Sequence, residues 1–192
     1  MSAEAPLAGT TVAFLATDGV EEVEYLQPRA AVERAGGLVE LVSTRMEPIR
    51  SVNGDLTPAG SYEVDRTVDQ ADPDGYDALV LPGGTVNPDR LRMDADAMRF
   101  VNSFFLDEKP VAAICHGPWS LVQTDVVRGR TLTSYPSLRA DVTNAGGTWV
   151  DEPVHVESGL VTSRSPADLP AFCAKLVELF AQGRESGGML PG

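Results

Sequence analysis

Short apolar runs alternate along the chain with segments whose apolar residues recur at helical spacing. Four runs are predicted strands because they are brief and apolar and are bounded by turn residues. These strands are TVAFLA (11–16), LVELVS (38–43), YDALVLPGG (76–84) and PVAAIC (110–115). Helices are predicted at 18–37, 94–108, 117–124, 137–147 and 168–182. The pattern therefore predicts strands and helices in regular alternation.

Continuously apolar strands are typical of a parallel sheet that is covered on both faces. We therefore expect an α/β fold of the flavodoxin-like type, a doubly wound sandwich with a mostly parallel central sheet and helices on both faces. The Pro- and Gly-punctuated segment 44–75 predicts hairpins or a loop with weak strands, and 149–164 predicts two short strands. One domain is expected over 10–183, with flexible tails at 1–9 and 184–192.

Charge and composition argue against several classes of partner. A formal net charge of −13 repels phosphate backbones and anionic membrane surfaces, so neither nucleic acid nor a membrane is expected as a partner. No apolar stretch approaches the roughly 20 residues that span a bilayer. The beginning of the sequence, MSAEAPLAGT, lacks the features of a secretory signal, so we expect a cytoplasmic protein with reduced thiols. Cys115 and Cys173 are accordingly predicted to be free, with Cys173 in the core.

The sequence ICHGP at the end of the fourth predicted strand has the layout of a nucleophile elbow. Ligands of such sheets bind at the carboxyl ends of the strands, where Cys115 would lie. A helix N-terminus next to the thiol is expected to lower its pKa from about 8.5. The backbone N–H groups of His116 and Gly117 are expected to face a developing oxyanion. The Gly83-Gly84 turn at the same edge of the sheet would supply further donors.

Three acidic residues, Glu21, Glu22 and Glu24, begin the first predicted helix at that same edge. Acidic side chains are common at this position because they interact favourably with the helix dipole. The functional alternative is that one of them contacts Cys115. The spacing alone does not choose among the three.

Five segments, in this order, resemble the ThiJ/PfpI superfamily: EEVEYLQP, YDALVLPGG, AAICHGP, RGRTLTSYP and VTSRSPADLPAF. The match is to the PfpI branch of stress proteins and intracellular peptidases. The resemblance implies that Cys115 is the nucleophile and that Glu24 is a protonated carboxyl hydrogen-bonded to it. It assigns His116 as the base of a peptidase triad whose acid comes from a neighbouring subunit. That acid maps to Asp89, where the family has glutamate and a segment one residue shorter.

Three functions remain open on these residues. The first is a cofactor-independent stress enzyme in which Cys115 attacks reactive carbonyls or glycated adducts, as a deglycase or a glyoxalase III-like hydrolase does. The second is an oligomeric PfpI-type cysteine peptidase acting on peptides. The third is a redox sensor or holdase that uses the same thiol. The resemblance also implies a homodimer or a larger homo-oligomer.

Other motifs were weighed against these hypotheses. The sequence contains neither a dinucleotide-binding nor an NTP-binding glycine motif, and its cysteines and histidines do not have zinc-ligand spacing, so no cofactor and no metal is expected. The segment VHVE places His155 and Glu157 on one face of a predicted strand, as in glutamine amidotransferases with a cysteine nucleophile. The distance of this segment from Cys115 along the chain is too short for that family.

Overall fold

Twelve short strands and six α-helices make up the part of the chain that the computed structural model describes, residues 5–187. The strands are β1 (Thr11–Leu15), β2 (Val20–Glu21), β3 (Leu38–Ser43), β4 (Ile49–Asn53), β5 (Thr57–Tyr62), β6 (Arg66–Thr67), β7 (Ala78–Leu81), β8 (Val111–Ile114), β9 (Thr131–Leu132), β10 (Thr148–Trp149), β11 (Val154–Glu157) and β12 (Leu160–Ser163). The helices are α1 (Glu22–Arg34), α2 (Val86–Leu91), α3 (Ala95–Leu106), α4 (Pro118–Gln123), α5 (Arg139–Asn144) and α6 (Leu169–Gly187).

Seven of these strands form the main sheet in the order β11, β12, β8, β7, β1, β3, β6. All neighbouring strands are parallel except β11, which pairs antiparallel with β12. The chain builds the sheet from β1 towards β3 and β6, and then returns to add β7, β8 and β12 on the other side. The strand order therefore reverses between β1 and β7, which is the position where open α/β sheets bind ligands.

Alternate residues of the central strands pack against different helices. Phe14 of β1 belongs to a buried cluster that includes Phe172 of α6. Its neighbour Leu15 belongs to a second cluster, on the opposite face, that includes Phe104 of α3. Because both faces are covered, the strands have almost no polar positions. The expected flavodoxin-like sandwich with a mostly parallel central sheet is confirmed.

The segment 44–75 contains a hairpin beside the carboxyl end of β1. β4 and β5 pair antiparallel, and β4 also pairs with β2, so these three strands form a small separate sheet. The hairpin tip lies between Asn53 and Thr57. Two of its N–H groups donate hydrogen bonds to Glu21, the residue that precedes α1. The predicted weak strands thus lie beside the carboxyl edge of the main sheet.

The beginning of the chain differs from the flexible tail expected at 1–9. Leu7 is fully buried, and its N–H donates a hydrogen bond to the Ala35 carbonyl at 2.9 Å. Residues 5–9 are therefore attached to the end of α1, because burial of the leucine side chain stabilises this contact. Residues 1–4 lie outside the described residues.

The last helix also extends beyond the boundary expected at residue 183. α6 continues to Gly187, and the rest of the expected tail, 188–192, lies outside the described residues. In the described part of the chain, no helix combines the length and the apolar character needed to cross a membrane.

Replacing Leu7 tests whether the first residues belong to the core. Leu7→Ala is expected to lower the free energy of unfolding by about 2–4 kcal/mol, because it leaves a cavity against α1. The measurement is urea denaturation followed by circular dichroism. Leu106→Ala, at a side chain that is 74% exposed, is the control and should change stability by less than about 0.5 kcal/mol. Equal stabilities of the two variants would contradict the packing of Leu7.

Candidate active site

Cys115 follows β8 directly, at the carboxyl edge of the main sheet. Its φ of 61° lies in the left-handed region, which is unfavourable for a residue with a Cβ atom. Two hydrogen bonds hold this conformation. The Cys115 N–H donates to the Ser163 carbonyl at 3.0 Å, and the Cys115 carbonyl accepts from the Tyr135 N–H at 2.8 Å. The backbone at Cys115 therefore has the strained strand-to-helix geometry that is typical of nucleophile elbows.

The carboxyl group of Glu24, on the first turn of α1, interacts with the Cys115 thiol and has no exposure to solvent. Its Oε2 accepts a hydrogen bond from the Gly83 N–H at 3.0 Å. Its Oε1 is buried without a well-aligned hydrogen-bond partner among residues 5–187. Desolvation raises the pKa of Glu24 to about 8, against the opposing hydrogen bond from Cys115. The carboxyl is therefore protonated at neutral pH.

The other two acids at the start of α1 hold the β4–β5 hairpin. Glu22 accepts a hydrogen bond from Tyr62 Oη at 2.7 Å. Glu21 accepts hydrogen bonds from the N–H groups of Gly54 and Asp55, at 3.0 and 3.3 Å. Among the contacts of residues 5–187, Glu24 is the one of these three acids whose carboxyl is hydrogen-bonded to the Cys115 thiol.

Cys115 is only 7% exposed, and this burial raises the pKa of its thiol. A charged Glu24 would raise the pKa of the thiol further. The N–H groups of His116 and Gly84 oppose this shift. The expectation that a helix N-terminus lowers the pKa is therefore wrong. Desolvation dominates, and α4 has only six residues and begins at Pro118. A protonated Glu24 adds no repulsion and can donate a hydrogen bond to a thiolate.

His116 is the basic group next to the thiol. Its Nδ1 lies 3.3 Å from Cys115 Sγ, and its Nε2 lies 3.2 Å from Ser137 Oγ. The imidazole stacks on the ring of Tyr135, with centroids 4.6 Å apart. Burial lowers the pKa of His116, so the imidazole is neutral at neutral pH and can accept the thiol proton.

Two of the backbone groups expected to bind an oxyanion are already engaged. The Gly83 N–H donates to the buried carboxyl, and the Gly117 N–H donates to the Ile114 carbonyl at 2.9 Å. These two assignments are therefore wrong, because each donor has an internal partner. The N–H groups of Gly84 and His116 are directed at the sulfur instead. They stabilise negative charge at that atom.

The turn after β7 requires glycine because it packs directly against both Glu24 and Cys115. A Cβ atom on Gly83 would lie 2.7 Å from the Cβ of Cys115 and would also collide with Glu24. Gly84 has a φ of 76°, and a Cβ there would lie 2.8 Å from the Glu21 nitrogen. A side chain at either position would displace the turn from the thiol.

Asp89 lies away from His116 within the single chain. Its Oδ1 pairs with Nη2 of Arg92 at 2.8 Å, and its side chain is 49% exposed. In the described range of this one subunit, Asp89 has no contact with His116. Asp89 belongs to the first turn of α2. A role for Asp89 across a subunit boundary stays a prediction.

The amidotransferase-like pair is not part of this site. His155 and Glu157 both belong to the edge strand β11. His155 Nδ1 lies 2.8 Å from Glu152 Oε2, and Glu157 accepts a hydrogen bond from the Thr131 N–H at 2.6 Å. Within residues 5–187, no group of three or more His, Cys, Asp or Glu side chains is arranged to hold a metal ion.

Cys173 lies apart from the candidate site. It is free, as is Cys115, and it is only partly buried. It lines a cavity of about 890 Å³ between α1 and α6, none of whose lining residues belongs to the Cys115 site. Burial raises the pKa of the Cys173 thiol to about 11, and the positive charge of Arg34 opposes this shift.

Sequence inspection missed four residues that complete the site from other loops: Asp55, Thr85, Tyr135 and Ser137. Tyr135 and Ser137 belong to the loop after β9, and only the resemblance of RGRTLTSYP pointed to that segment. Asp55 and Thr85 are hydrogen-bonded to each other across 30 residues of sequence. No local pattern indicates such a contact.

The fold and the site together define an α/β protein with a thiol, a protonated carboxyl and an imidazole in contact at one edge of a parallel sheet. The family model of the DJ-1/PfpI family matches residues 10–179. The chain belongs to the DJ-1/PfpI family.

Individual relatives agree over nearly the whole chain. The chain is 40% identical over 168 residues to Deglycase PH1704 of Pyrococcus horikoshii, covering 88% of this chain and 98% of that protein. It is 41% identical over 165 residues to General stress protein 18 of Bacillus subtilis, covering 85% and 94%. A two-domain protein of Anabaena variabilis, with DJ-1/ThiJ/PfpI-like and ferritin-like domains, superposes with a TM-score of 0.83 and 33% identity. That superposition covers 95% of this chain and 50% of the two-domain chain.

The raised pKa of Glu24 predicts a specific dependence of stability on pH. Between the ordinary pKa of 4.5 and the folded value of about 8, the unfolded chain binds fewer protons at Glu24 than the native protein. Wild-type stability should therefore fall as the pH rises through this window, by a few kcal/mol in all, and level off above it. Glu24→Gln removes this contribution. Its stability relative to wild type should increase from pH 5 to pH 8.

Urea denaturation at a series of pH values measures this difference. Glu63→Gln, at an exposed position on the hairpin side of the molecule, is the matched control and should follow the wild-type curve. Parallel curves for wild type and Glu24→Gln would show that the buried carboxyl is not held protonated.

Proposed function

We propose that this protein is a cofactor-independent enzyme in which Cys115 acts as a nucleophile on small reactive carbonyl compounds or on their adducts with amines. The observation that carries the proposal is the contact of one thiol with both a proton donor and a proton acceptor. Glu24 is a buried acid that is protonated at neutral pH, and His116 is a neutral base 3.3 Å from the sulfur. Such a trio suits addition to a carbonyl, which needs both a proton acceptor and a proton donor.

The burial of the nucleophile supports a small substrate. Only 7% of Cys115 is exposed, and Gly83, His116 and Tyr135 crowd around it. An aldehyde or a short adduct reaches such a sulfur more readily than a folded peptide chain does. The name of one relative, a deglycase, agrees with this substrate class.

The proposed reaction begins with transfer of the thiol proton to His116 Nδ1. The sulfur then forms a bond to the aldehyde carbon, and the carbonyl π electrons move to the oxygen, which takes a proton from Glu24. The product is a hemithioacetal. With an amine adduct, the C–N bond is exchanged for the C–S bond and the amine leaves with a proton.

A 2-oxoaldehyde substrate allows the reaction to finish without a redox cofactor. The imidazolium of His116 first gives its proton to the Glu24 carboxylate. The neutral imidazole then moves the C–H proton of the hemithioacetal to the adjacent carbonyl carbon, and the hydroxyl proton passes to the neighbouring carbonyl oxygen, so that one carbon is oxidised while its neighbour is reduced. The resulting thioester is hydrolysed by water to a hydroxy acid and the free thiol. Electrons balance within the substrate, and Glu24 and His116 return to their starting states.

Turnover of methylglyoxal and of its adduct with N-acetylarginine tests the proposal. Cys115→Ser is expected to lower kcat/KM by at least about a hundredfold, because the hydroxyl is a much weaker nucleophile. Cys173→Ser is the matched control and should stay within about twofold of wild type. If reduced wild-type protein turns over neither compound, the proposal is wrong. Peroxide oxidation of Cys115 without any turnover would then favour the sensor hypothesis.

The contact between Cys115 and His116 also favours a second candidate, a cysteine peptidase that is completed by Asp89 of an adjacent subunit. The exposed position of Asp89 on α2 is compatible with such a role. In that case Asp89→Asn should lower hydrolysis of a fluorogenic peptide by about tenfold or more, and dissociation of the oligomer should abolish it. Peptide hydrolysis that is insensitive to both changes would contradict the shared triad.

A further inference from the structure

The tip of the β4–β5 hairpin is fixed to the candidate active site by an exposed acid. Asp55 has a left-handed φ of 63°, and its N–H donates to Glu21 at the start of α1 at 3.3 Å. Its carboxylate accepts two hydrogen bonds from Thr85, from the N–H at 2.6 Å and from Oγ1 at 2.9 Å. One side chain therefore connects the hairpin to the turn after β7.

That turn forms one wall of the nucleophile site. Thr85 comes directly after Gly83 and Gly84. Gly83 packs against both Glu24 and Cys115, and the N–H of Gly84 is directed at the Cys115 sulfur. Two consecutive glycines give this segment little conformational restraint of its own. The two hydrogen bonds that Thr85 donates to Asp55 restrain the end of this segment, in addition to the bond from the Gly83 N–H to Glu24.

The charge of Asp55 also acts on the imidazole. Burial lowers the pKa of His116, and the negative charge of Asp55 opposes this effect. The other described groups around the ring are aromatic, hydroxyl or neutral at neutral pH, apart from one guanidinium that lies over the Trp119 indole. They are the Cys115 thiol with Glu24 behind it, Ser137, Tyr135 and Trp119, with Arg92 4.7 Å from the Trp119 centroid.

We propose that Asp55 is a positioning residue of this site, which anchors the Gly83–Thr85 turn and places a negative charge where it stabilises the imidazolium form of His116. The acid that assists the thiol–imidazole pair would then come from the same subunit. This inference rests on the proposed function for its catalytic meaning. The proton that leaves the Cys115 sulfur forms the N–H bond at His116 Nδ1, and Asp55 favours the resulting thiolate–imidazolium pair over the neutral pair.

Asp55→Asn separates charge from structure. Asparagine tolerates the same left-handed backbone and keeps an oxygen that accepts from the Thr85 N–H. Its amide N–H can donate to Thr85 Oγ1, so both contacts are retained with the second one reversed, while the charge is lost. The chain has two histidines, and their ring proton signals in NMR spectra can be assigned with His155→Gln. We expect the His116 titration to move to lower pH in Asp55→Asn, with His155 unchanged. With a carbonyl substrate, kcat/KM should fall about twofold to fivefold, and its acidic limb should move to lower pH.

Asp77→Asn is the matched control. Asp77 is also an exposed acid that accepts a hydrogen bond from a backbone N–H, that of Thr11 at 2.7 Å, but it precedes β7 at the opposite edge of the sheet. It should change neither the His116 titration nor turnover. Asp55→Gly, which also accommodates the left-handed backbone, repeats the NMR measurement should the asparagine variant be unstable.

The outcomes separate this inference from the proposed function. An unchanged His116 titration in both Asp55→Asn and Asp55→Gly would overturn the role of Asp55, whatever the enzyme does with carbonyls. A shifted titration in a protein without carbonyl turnover would support the placement of the charge and would count against the proposed function alone.

Discussion

Removal of the Glu24 carboxyl from water is the constraint on which the site depends. A carboxylate in that position would be uncompensated and would repel a neighbouring thiolate, so the protonated form is strongly favoured. A neutral acid, in contrast, can remain in contact with a sulfur that becomes negative during reaction. Gly83 makes this contact possible because any side chain there would separate the two groups. The chemistry is therefore set by exclusion of solvent, and the dipole of the short helix α4 contributes little to it.

The parallel sheet is what brings these groups together. Glu24, Gly83 and Cys115 follow β1, β7 and β8, which are neighbours in the sheet, and adjacent strands lie only about 4.8 Å apart. The apolar layers on both faces make these strand ends rigid. The left-handed conformation of Cys115 persists because its N–H and carbonyl are bonded to two other loops. Strain of this kind costs on the order of 1–3 kcal/mol, and the packing of the core offsets it.

Sequence reasoning was successful where the signal is local. The unbroken apolar strands predicted the sheet, and ICHGP predicted the turn at Cys115, because each depends on residues that are adjacent in the chain. The choice of Glu24 came from family resemblance, since spacing alone left three acids open. The burial of Leu7, the internal partner of the Gly83 N–H and the raised pKa of the thiol were not predicted. Each of these is set by groups that are distant in sequence and meet only in the folded chain.

The same desolvation limits where a helpful negative charge can lie. Because Glu24 is protonated, it cannot take the thiol proton, and His116 is the neighbouring base. Burial lowers the pKa of His116 and so makes it a weaker base. The carboxyl of Glu24 is desolvated, holds its proton and therefore brings no negative charge to the imidazole. An acid at the exposed hairpin tip is solvated by water, and its negative charge favours the protonated form of the imidazole. Asp55 is exposed to solvent, and its charge still acts on His116. Solvent partly screens this interaction.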